Sequence, residues 1–559
     1  MTASTGDELV FVPLGGTGEI GMNLNLYGFG PPGDKTWLMV DLGVTFSDGN
    51  LPGIDVIMPD PTFITERRDR LAGILLTHAH EDHLGAVPYL WDRLRCPVYA
   101  TPFTAAILRR KLGEAFFEET LEITVVELGS RFSIGPFDLE LITLTHSIPE
   151  PNAVAIRCDL GTVIHTGDWK FDPDPVVGPA ADEEALRRFG DEGVLAVIGD
   201  STNVFTPGTS GSEGDLLDSL TEVIGACEKR VAVACFASNV ARLHTIAAAA
   251  RANGRDVVLA GRSLHRIEAA ARETGYLEDV PAFIREEDAG YLPDNKTAII
   301  CTGSQGEPRA ALSRIATGNH PNVSLGAGDK VIFSSRVIPG NETAIHELQN
   351  KLTLRGIDII TWNDALVHVS GHPARDELSL MYQYVRPRIA VPVHGEARHL
   401  AAHAALAKTC QVAETVVAEN GAMVRLAPGA AGIIDHVPAG RLYVDGKRLV
   451  AANGEAVRGR GRIAYNGTAM VTVVVNEDGR LVGSAQLSHL GLLDDPDDEL
   501  ESAVLKAIET AIHKMTAQSR RDDNAVREIA RLAARRSFRE SLGKKPQTQV
   551  HLVRIAKEN

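Results

Sequence analysis

The stretch Thr77-His78-Ala79-His80-Glu81-Asp82-His83-Leu84-Gly85 constrains this chain more than any other. With 18 His in 559 residues, one falls at roughly every thirty positions, so three within six is not a composition effect. The run from Ala72 to Leu76 is apolar enough for a buried strand, and Leu84, Val87, Leu90, Trp91 and Leu94 then recur at helical spacing. The ligand-type side chains therefore stand on a loop where a strand ends and a helix begins. Imidazoles two residues apart at a strand end point to one side, and a carboxylate with a third imidazole a half-turn on reaches an adjacent point. One short loop can thus grip two cations. His and Asp together suit zinc or manganese better than calcium, which prefers oxygen. The bland alternative is a polar loop whose histidines only hydrogen-bond; a metal site this early in the chain demands further ligands downstream.

Length alone implies three or four domains. The 44% apolar and 23% charged residues are those of an ordinary globular protein. No apolar run approaches a membrane span, and the first residues have neither the charge nor the apolar core of a signal peptide. The expectation is a cytoplasmic protein with no membrane partner. Cys96, Cys158, Cys227, Cys235, Cys301 and Cys410 are scattered without a C-x-x-C pair, as small buried residues of a reduced compartment are. A net charge of −17 argues against a nonspecific polyanion binder, while leaving room for a locally positive cleft.

Along the chain, Gly16, Gly18 and Gly21 match G-x-G-x-x-G, but the residues from Asn23 to Tyr27 alternate as a strand. No helix N-terminus awaits a pyrophosphate there, and a dinucleotide fold is rejected. Strands continue to about residue 170. Polar strand ends recur at His146 and in His165-Thr-Gly-Asp168, which supply the later ligands the first motif demands, and a third strand ends at Asp200. Gly208 to Gly214 reads as a linker. From 213, helices alternate with apolar strands over about 160 residues, the pattern of a parallel-sheet domain. Two more polar ends follow, at Ser370-Gly-His372 and His394-Gly-Glu396. A last domain occupies about 465 to 559.

THAHEDHLGA, LTHSIPE, HTGDWKFDP, GDSTN, CFASN, CTGSQGEPRAAL, HVSGHPARDEL and PVHGE occur in that order. In them the chain resembles the metallo-β-lactamase superfamily, in its β-CASP branch and specifically the ribonuclease J family, over nearly its whole length. The resemblance implies an α/β fold: a metallo-β-lactamase αββα sandwich in two parts (1–212 and 373–448), an inserted parallel-sheet β-CASP domain (213–372), a linker (449–464) and a small α/β C-terminal domain (465–559). It implies one zinc on His78, His80 and His146, another on Asp82, His83 and His394, and Asp168 bridging both, with manganese as the alternative metal. Two close cations can orient water in line with a phosphorus and neutralise the nonbridging oxygens. The resemblance thus implies a ribonuclease acting 5′ to 3′ from monophosphorylated ends and also internally.

The resemblance implies catalytic work by Asp82, Asp168, His372 and Asp200, with His372 donating a proton to the leaving oxygen or binding the scissile phosphate and Asp200 orienting that imidazole. Substrate contacts are expected from Ala237, Ser238 and Asn239, and from His368, Val369, Ser370, Gly371 and His372. The loop at Gly303 also suits a phosphate. Ordinary helix capping is the competing role for both loops, and for Asp200. His399 and His403, at i and i+4, imitate a ligand pair less well placed than His394, and His165 reads as a core histidine. Arg527, Arg531, Arg535 and Arg539 form a basic stripe opposite Val526, Ile529, Leu532 and Ala533, for RNA, for a subunit contact or simply as a solvated face. The resemblance further implies homodimers or homotetramers, partners in an RNA-degradation complex, and a structural calcium near Gly53, Asp55 and Asp445. The rival readings are a small-molecule metallohydrolase, a DNA-directed β-CASP nuclease and an inactive RNA-binding scaffold.

Overall fold

The computed structural model describes residues 6–47, 51–114 and 121–556. These fall into two compact units, one of residues 6–47 and 56–442, the other of residues 51–55 and 443–556.

In the larger unit, an eight-stranded and a seven-stranded sheet face each other across one apolar core. Leu9, Phe11, Leu38 and Leu75 from the first sheet meet Leu139, Val154, Val163 and Ile389 from the second, all 3% exposed or less. Helices Glu183–Glu192, Arg375–Val385 and Ala397–Thr409 cover the outer face of the seven-stranded sheet through Leu186, Phe189, Leu378, Met381, Val385 and Leu406. Strand Glu8–Gly15 pairs antiparallel with Leu24–Gly30, so the glycine run between them is a hairpin loop, as the dinucleotide rejection required.

Register sets where the polar ends go. Strands Gly161–His165, Ala196–Asp200 and Ile389–Val393 run parallel, with His165 opposite Ile198 and Asp200 opposite Val393. Their C-terminal ends therefore lie at one edge, where open α/β sheets bind ligands. The other sheet reaches the same edge: Asp41 N–H donates to the Leu75 carbonyl, and Asn152 N–H to that of Thr77.

Between the strands Ala196–Asp200 and Ile389–Val393 the chain builds a separate five-stranded sheet, all parallel, in the order Asp256–Ala260, Thr297–Cys301, Val231–Ala234, Lys330–Phe333, Asp358–Ile360. Its strands are almost wholly apolar because helices cover both faces. Residues 208–214, expected as a linker, include the buried Ser212 and Glu213; the latter faces a buried arginine, so this connection is part of the packed structure and not a solvated tether.

The smaller unit holds a three-stranded sheet, with Thr468–Asn476 between Gln486–Leu490 and Gln547–Ile555, packed on helices Asp498–His513 and Asp523–Leu542. The second helix buries Val526, Ala530, Ala534 and Phe538, a stripe at strict four-residue steps. The expected apolar face was wrong in part, since Leu532 is 42% exposed. Of the arginine stripe, Arg531 pairs with Glu528 at 2.6 Å. The stretch 449–464, expected as a linker, holds most of helix Glu455–Asn466. Gly459 and Gly461 obscure the helical period there, while Glu455 pairs with Arg458 and Arg462 along one face.

Candidate metal centre

Seven ligand-type side chains converge at the shared sheet edge. His78, His80, His146 and Asp168 offer atoms within 4.8 Å of one another, and so do Asp82, His83, Asp168 and His394. Asp168 belongs to both groups, as the sequence resemblance implied for a bridging carboxylate. A third set, Asp168, Asp200, His372 and His394, overlaps them.

The outer nitrogen of each imidazole is occupied, which fixes what the inner one presents. Thr77 Oγ1 donates its single proton to Asp41, 2.9 Å from Oδ2, so it accepts from His78 Nδ1 at 3.0 Å. Thr202 Oγ1 likewise donates to Asp200 Oδ1 at 2.7 Å and accepts from His394 Nδ1 at 2.9 Å. His83 Nδ1 lies 2.7 Å from Asp41 Oδ2, and His146 Nδ1 donates to the Gly371 carbonyl. His80 is turned round, with Nε2 3.0 Å from Ser238 Oγ and Nδ1 inward. His78 and His146 consequently turn bare Nε2 atoms inward, each 3.0 Å from His80 Nδ1, which presents a third lone pair where Ser238 Oγ accepts from His80 Nε2. Lone pairs that close repel unless a cation lies among them, and ligand imidazoles are held by their outer nitrogens in this manner. Asp168 Oδ1 is buried with no hydrogen-bond partner, a further acceptor suited to an ion. The residues fit a metal centre with nitrogen and carboxylate ligands.

The backbone is shaped to the same end. His394 has φ of 52°, a left-handed conformation costly for a side chain other than glycine. A Cβ on Gly43 would lie 1.7 Å from the Asp82 carbonyl, and one on Gly371 would lie 2.9 Å from the His146 ring. Those two glycines permit the close approach of the histidine loop and the segment at 371.

Charge divides the site. Burial, then repulsion from His83 and His80, holds His78 well below its usual value; burial likewise lowers His80 to about 4, and burial with the neighbouring His80 and His372 lowers His146. Burial also works against charge on His83 and His394. There the carboxylates outweigh it: Asp168, Asp82 and Asp41 raise His83, and Asp168, Asp200 and Asp82 raise His394 to about 10. Asp82, Asp168 and Asp200 all stay ionised despite burial, held down by the imidazoles around them. So many buried carboxylates require compensating positive charge, which metal cations supply.

Asp200 Oδ2 lies 2.8 Å from His372 Nδ1, while Oδ1 accepts from Thr202 N–H at 2.9 Å. The orienting and the turn-capping roles weighed for it coexist, one on each oxygen. Asn203, which the sequence reading passed over, donates to Ser370 Oγ at 2.7 Å and to the His372 carbonyl at 3.0 Å. Asp41, Thr77 and Thr202 were also passed over; their signal was the same as that of the ligands, a polar residue just past an apolar strand. Asn239 caps helix Val240–Ala252 by accepting from Arg242 N–H. Ala237 is half-buried beside Ser238, Val369 packs 2.9 Å from where a Cβ on Gly211 would be, and His368 faces Arg242. The Gly303 loop is committed elsewhere: Gln305 bonds to the Arg336 carbonyl and the Ile338 amide. His403 bonds to Ser201 and Tyr382, and His165 to Tyr27, so both are satisfied core histidines. In the smaller unit, Asp445 pairs with Arg460 at 2.6 Å and Arg448 at 3.6 Å, two cations at the carboxylate expected to hold calcium.

Family models match in register with this architecture: a beta-lactamase superfamily domain at residues 51–185, a ribonuclease J beta-CASP domain at 228–352, a Zn-dependent metallo-hydrolase RNA specificity domain at 356–418 and a ribonuclease J C-terminal domain at 455–555. Ribonuclease J of Sinorhizobium meliloti is 46% identical over 98% of this chain and 98% of its own. That of Mycolicibacterium smegmatis is 40% identical over 97% and 96%. A crystal structure of a protein of unknown function from Enterococcus faecalis V583 superposes with a TM-score of 0.51 at 17% identity, covering 75% of this chain and 100% of that one, a likeness of fold alone. No helix among the described residues is long and apolar enough to cross a membrane. With its lactamase-type and β-CASP domains and this cluster of His and Asp, the chain belongs to the ribonuclease J family of metal-dependent RNA hydrolases.

Proposed function

We propose that the chain is a two-zinc enzyme that shortens RNA 5′ to 3′ from monophosphorylated ends and also cuts internally, in RNA maturation and decay. One zinc is held by His78, His80 and His146, the other by Asp82, His83 and His394, with Asp168 shared; manganese is the alternative occupant. The observation carrying this reading is that the inserted parallel-sheet region touches the ligands themselves, Ser238 at His80 and Gly371 at His146. A cover that meets the metal ligands is unnecessary for a small molecule and suits a polymer substrate.

When bound, the metal pair supplies Lewis acidity toward the phosphodiester and a nucleophilic water. His372 serves the other side of the reaction. Burial lowers its basicity, but Asp200 and then Asp168 raise it above the ordinary histidine value, which favours the protonated ring. With Nδ1 donating to Asp200, Nε2–H is the proton available to the leaving 3′ oxygen. Asn203 holds the carbonyl of His372 and the hydroxyl of Ser370, keeping that loop in place. The same reading includes homodimers or homotetramers and recruitment into an RNA-degradation complex.

The test is hydrolysis of one end-labelled RNA bearing a 5′ monophosphate, triphosphate or hydroxyl, with zinc or manganese, beside the equivalent DNA. Mononucleotides released mainly from the monophosphate RNA are expected. Internal fragments whatever the 5′ group would remove the 5′ pocket, and equal cleavage of DNA would favour the DNA-directed rival.

A further inference from the structure

The most heavily bonded buried charge away from the metal cluster is Arg242, 1% exposed on the first turn of helix Val240–Ala252. Its partner is Glu213, 2% exposed, at the start of the inserted region. Glu213 takes Arg242 in a fork, Nε at 3.1 Å on Oε2 and Nη2 at 3.0 Å on Oε1. Asn239 donates to the same Oε1 at 3.1 Å. The remaining nitrogen, Nη1, reaches outward to Ser334 at its carbonyl (2.9 Å) and hydroxyl (2.7 Å), to the Val367 carbonyl at 3.3 Å and to His368 Nδ1 at 3.3 Å.

The last contact has a chemical consequence. Nη1 shares its two protons among these four acceptors, and a guanidinium accepts none, so His368 Nδ1 faces it with a lone pair and not with an N–H. His368 Nδ1 is then bare and the ring's proton sits on Nε2. Burial, followed by the positive charges of Arg242, Arg336 and Lys170, holds the ring neutral, so it carries one proton and not two. One nearby group pulls the other way: the Ser334 carbonyl favours a proton on the ring. That carbonyl receives Arg242 Nη1 on one lone pair and keeps another, while the Ser334 hydroxyl spends its proton on the Val367 carbonyl at 2.6 Å.

We propose that Arg242, clamped by Glu213, is a positioning residue that fixes His368 as its Nε2–H tautomer, making it a neutral donor for a phosphate of the RNA strand. This rests on the ribonuclease reading for its substrate, but not for its tautomer. A neutral donor suits a phosphate that must be released after every step, because a buried ion pair would hold it more tightly. Lysine at 242 would keep the charge and lose the fork, so it is not a conservative replacement.

The tautomer is tested on the full chain carrying ¹⁵N-labelled histidine, by long-range ¹H–¹⁵N correlation, with the His368 signals assigned by their loss in His368→Gln. A bare Nδ1 and a protonated Nε2 are expected in the unaltered protein; a protonated Nδ1, alone or with Nε2, would overturn the proposal whatever the variants do. In Arg242→Lys and Glu213→Gln, metal content and kcat are expected to persist while KM for 5′-monophosphate RNA rises on the order of tenfold. A fall in kcat with KM unchanged would assign the pair to something other than phosphate positioning. Failure of the unaltered protein to cleave any RNA would sink the ribonuclease reading, and the tautomer would still be judged by the spectrum.

Discussion

His372 Nδ1 and Asp200 Oδ2 stand 2.8 Å apart, across 172 positions of chain, with the carboxylate wholly buried and the imidazole side chain 23% exposed. Through Oδ2 the buried carboxylate acts on the exposed imidazole, while its Oδ1 holds Thr202 and through it His394. His372→Ala is therefore expected to lower kcat by roughly a hundredfold to ten-thousandfold with metal content intact. Asp200→Asn should cost less and should shift the basic limb of the rate profile downward, since the carboxylate is what raises His372. Metal lost from His372→Ala, measured by elemental analysis, would make this residue a ligand.

Among the described residues, Asp168 is the side chain common to all three ligand groupings. Asp168→Ala should remove metal from both positions and reduce hydrolysis more than about a hundredfold. Chelation of the unaltered protein should reproduce the loss, and added zinc or manganese should reverse it only where Asp168 is present. Full activity in the variant would discard the shared-ligand arrangement.

Ser238 Oγ is the outer anchor of His80. Partners of this kind are worth roughly ten- to a hundredfold in metal affinity. Ser238→Ala should lose metal to a competing chelator that much sooner, with unchanged circular dichroism. Equal retention would leave Ser238 with substrate contact alone.

His403 is buried between Ser201 Oγ at 2.9 Å and Tyr382 OH at 2.8 Å, and burial lowers it from 6.5 to about 4. The unfolded chain takes up a proton near 6.5 that the folded one refuses until about 4. Stability must therefore fall as pH drops through that window, by up to about 1.4 kcal/mol per unit from this residue. Denaturant unfolding of His403→Gln at neutral and mildly acidic pH should show a shallower acid loss than the unaltered protein. An identical slope in both would mean that His403 is protonated in the folded state.

The ligand-type side chains were legible because they stand just past apolar strands, a pattern that survives in one dimension. His78, His80, Asp82 and His83 share one loop; His146, Asp168, Asp200 and His394 repeat the same signature far apart. Their outer anchors were less legible. Thr77 and Thr202 sit beside ligands and look like ordinary turn residues, and Gly371 contributes a carbonyl that no side-chain reading detects. The helix Glu455–Asn466 was hidden by its glycines, and the buried stripe of helix Asp523–Leu542 was right at Val526 but extended to the exposed Leu532, because two apolar faces compete there.

By itself the sequence determined the alternation of strands and helices, the residues able to bind metal, and the insertion between two ligand-bearing strands, since periodicity and side-chain chemistry are local properties. Which atoms face inward was decided only by the tertiary structure. A hydroxyl has one proton and an imidazole two nitrogens, so the nitrogen that His78 turns to the centre depends on Asp41 being brought to Thr77 by the pairing of strands, and the one that His394 turns there depends on His394 being brought to the local Asp200–Thr202 turn.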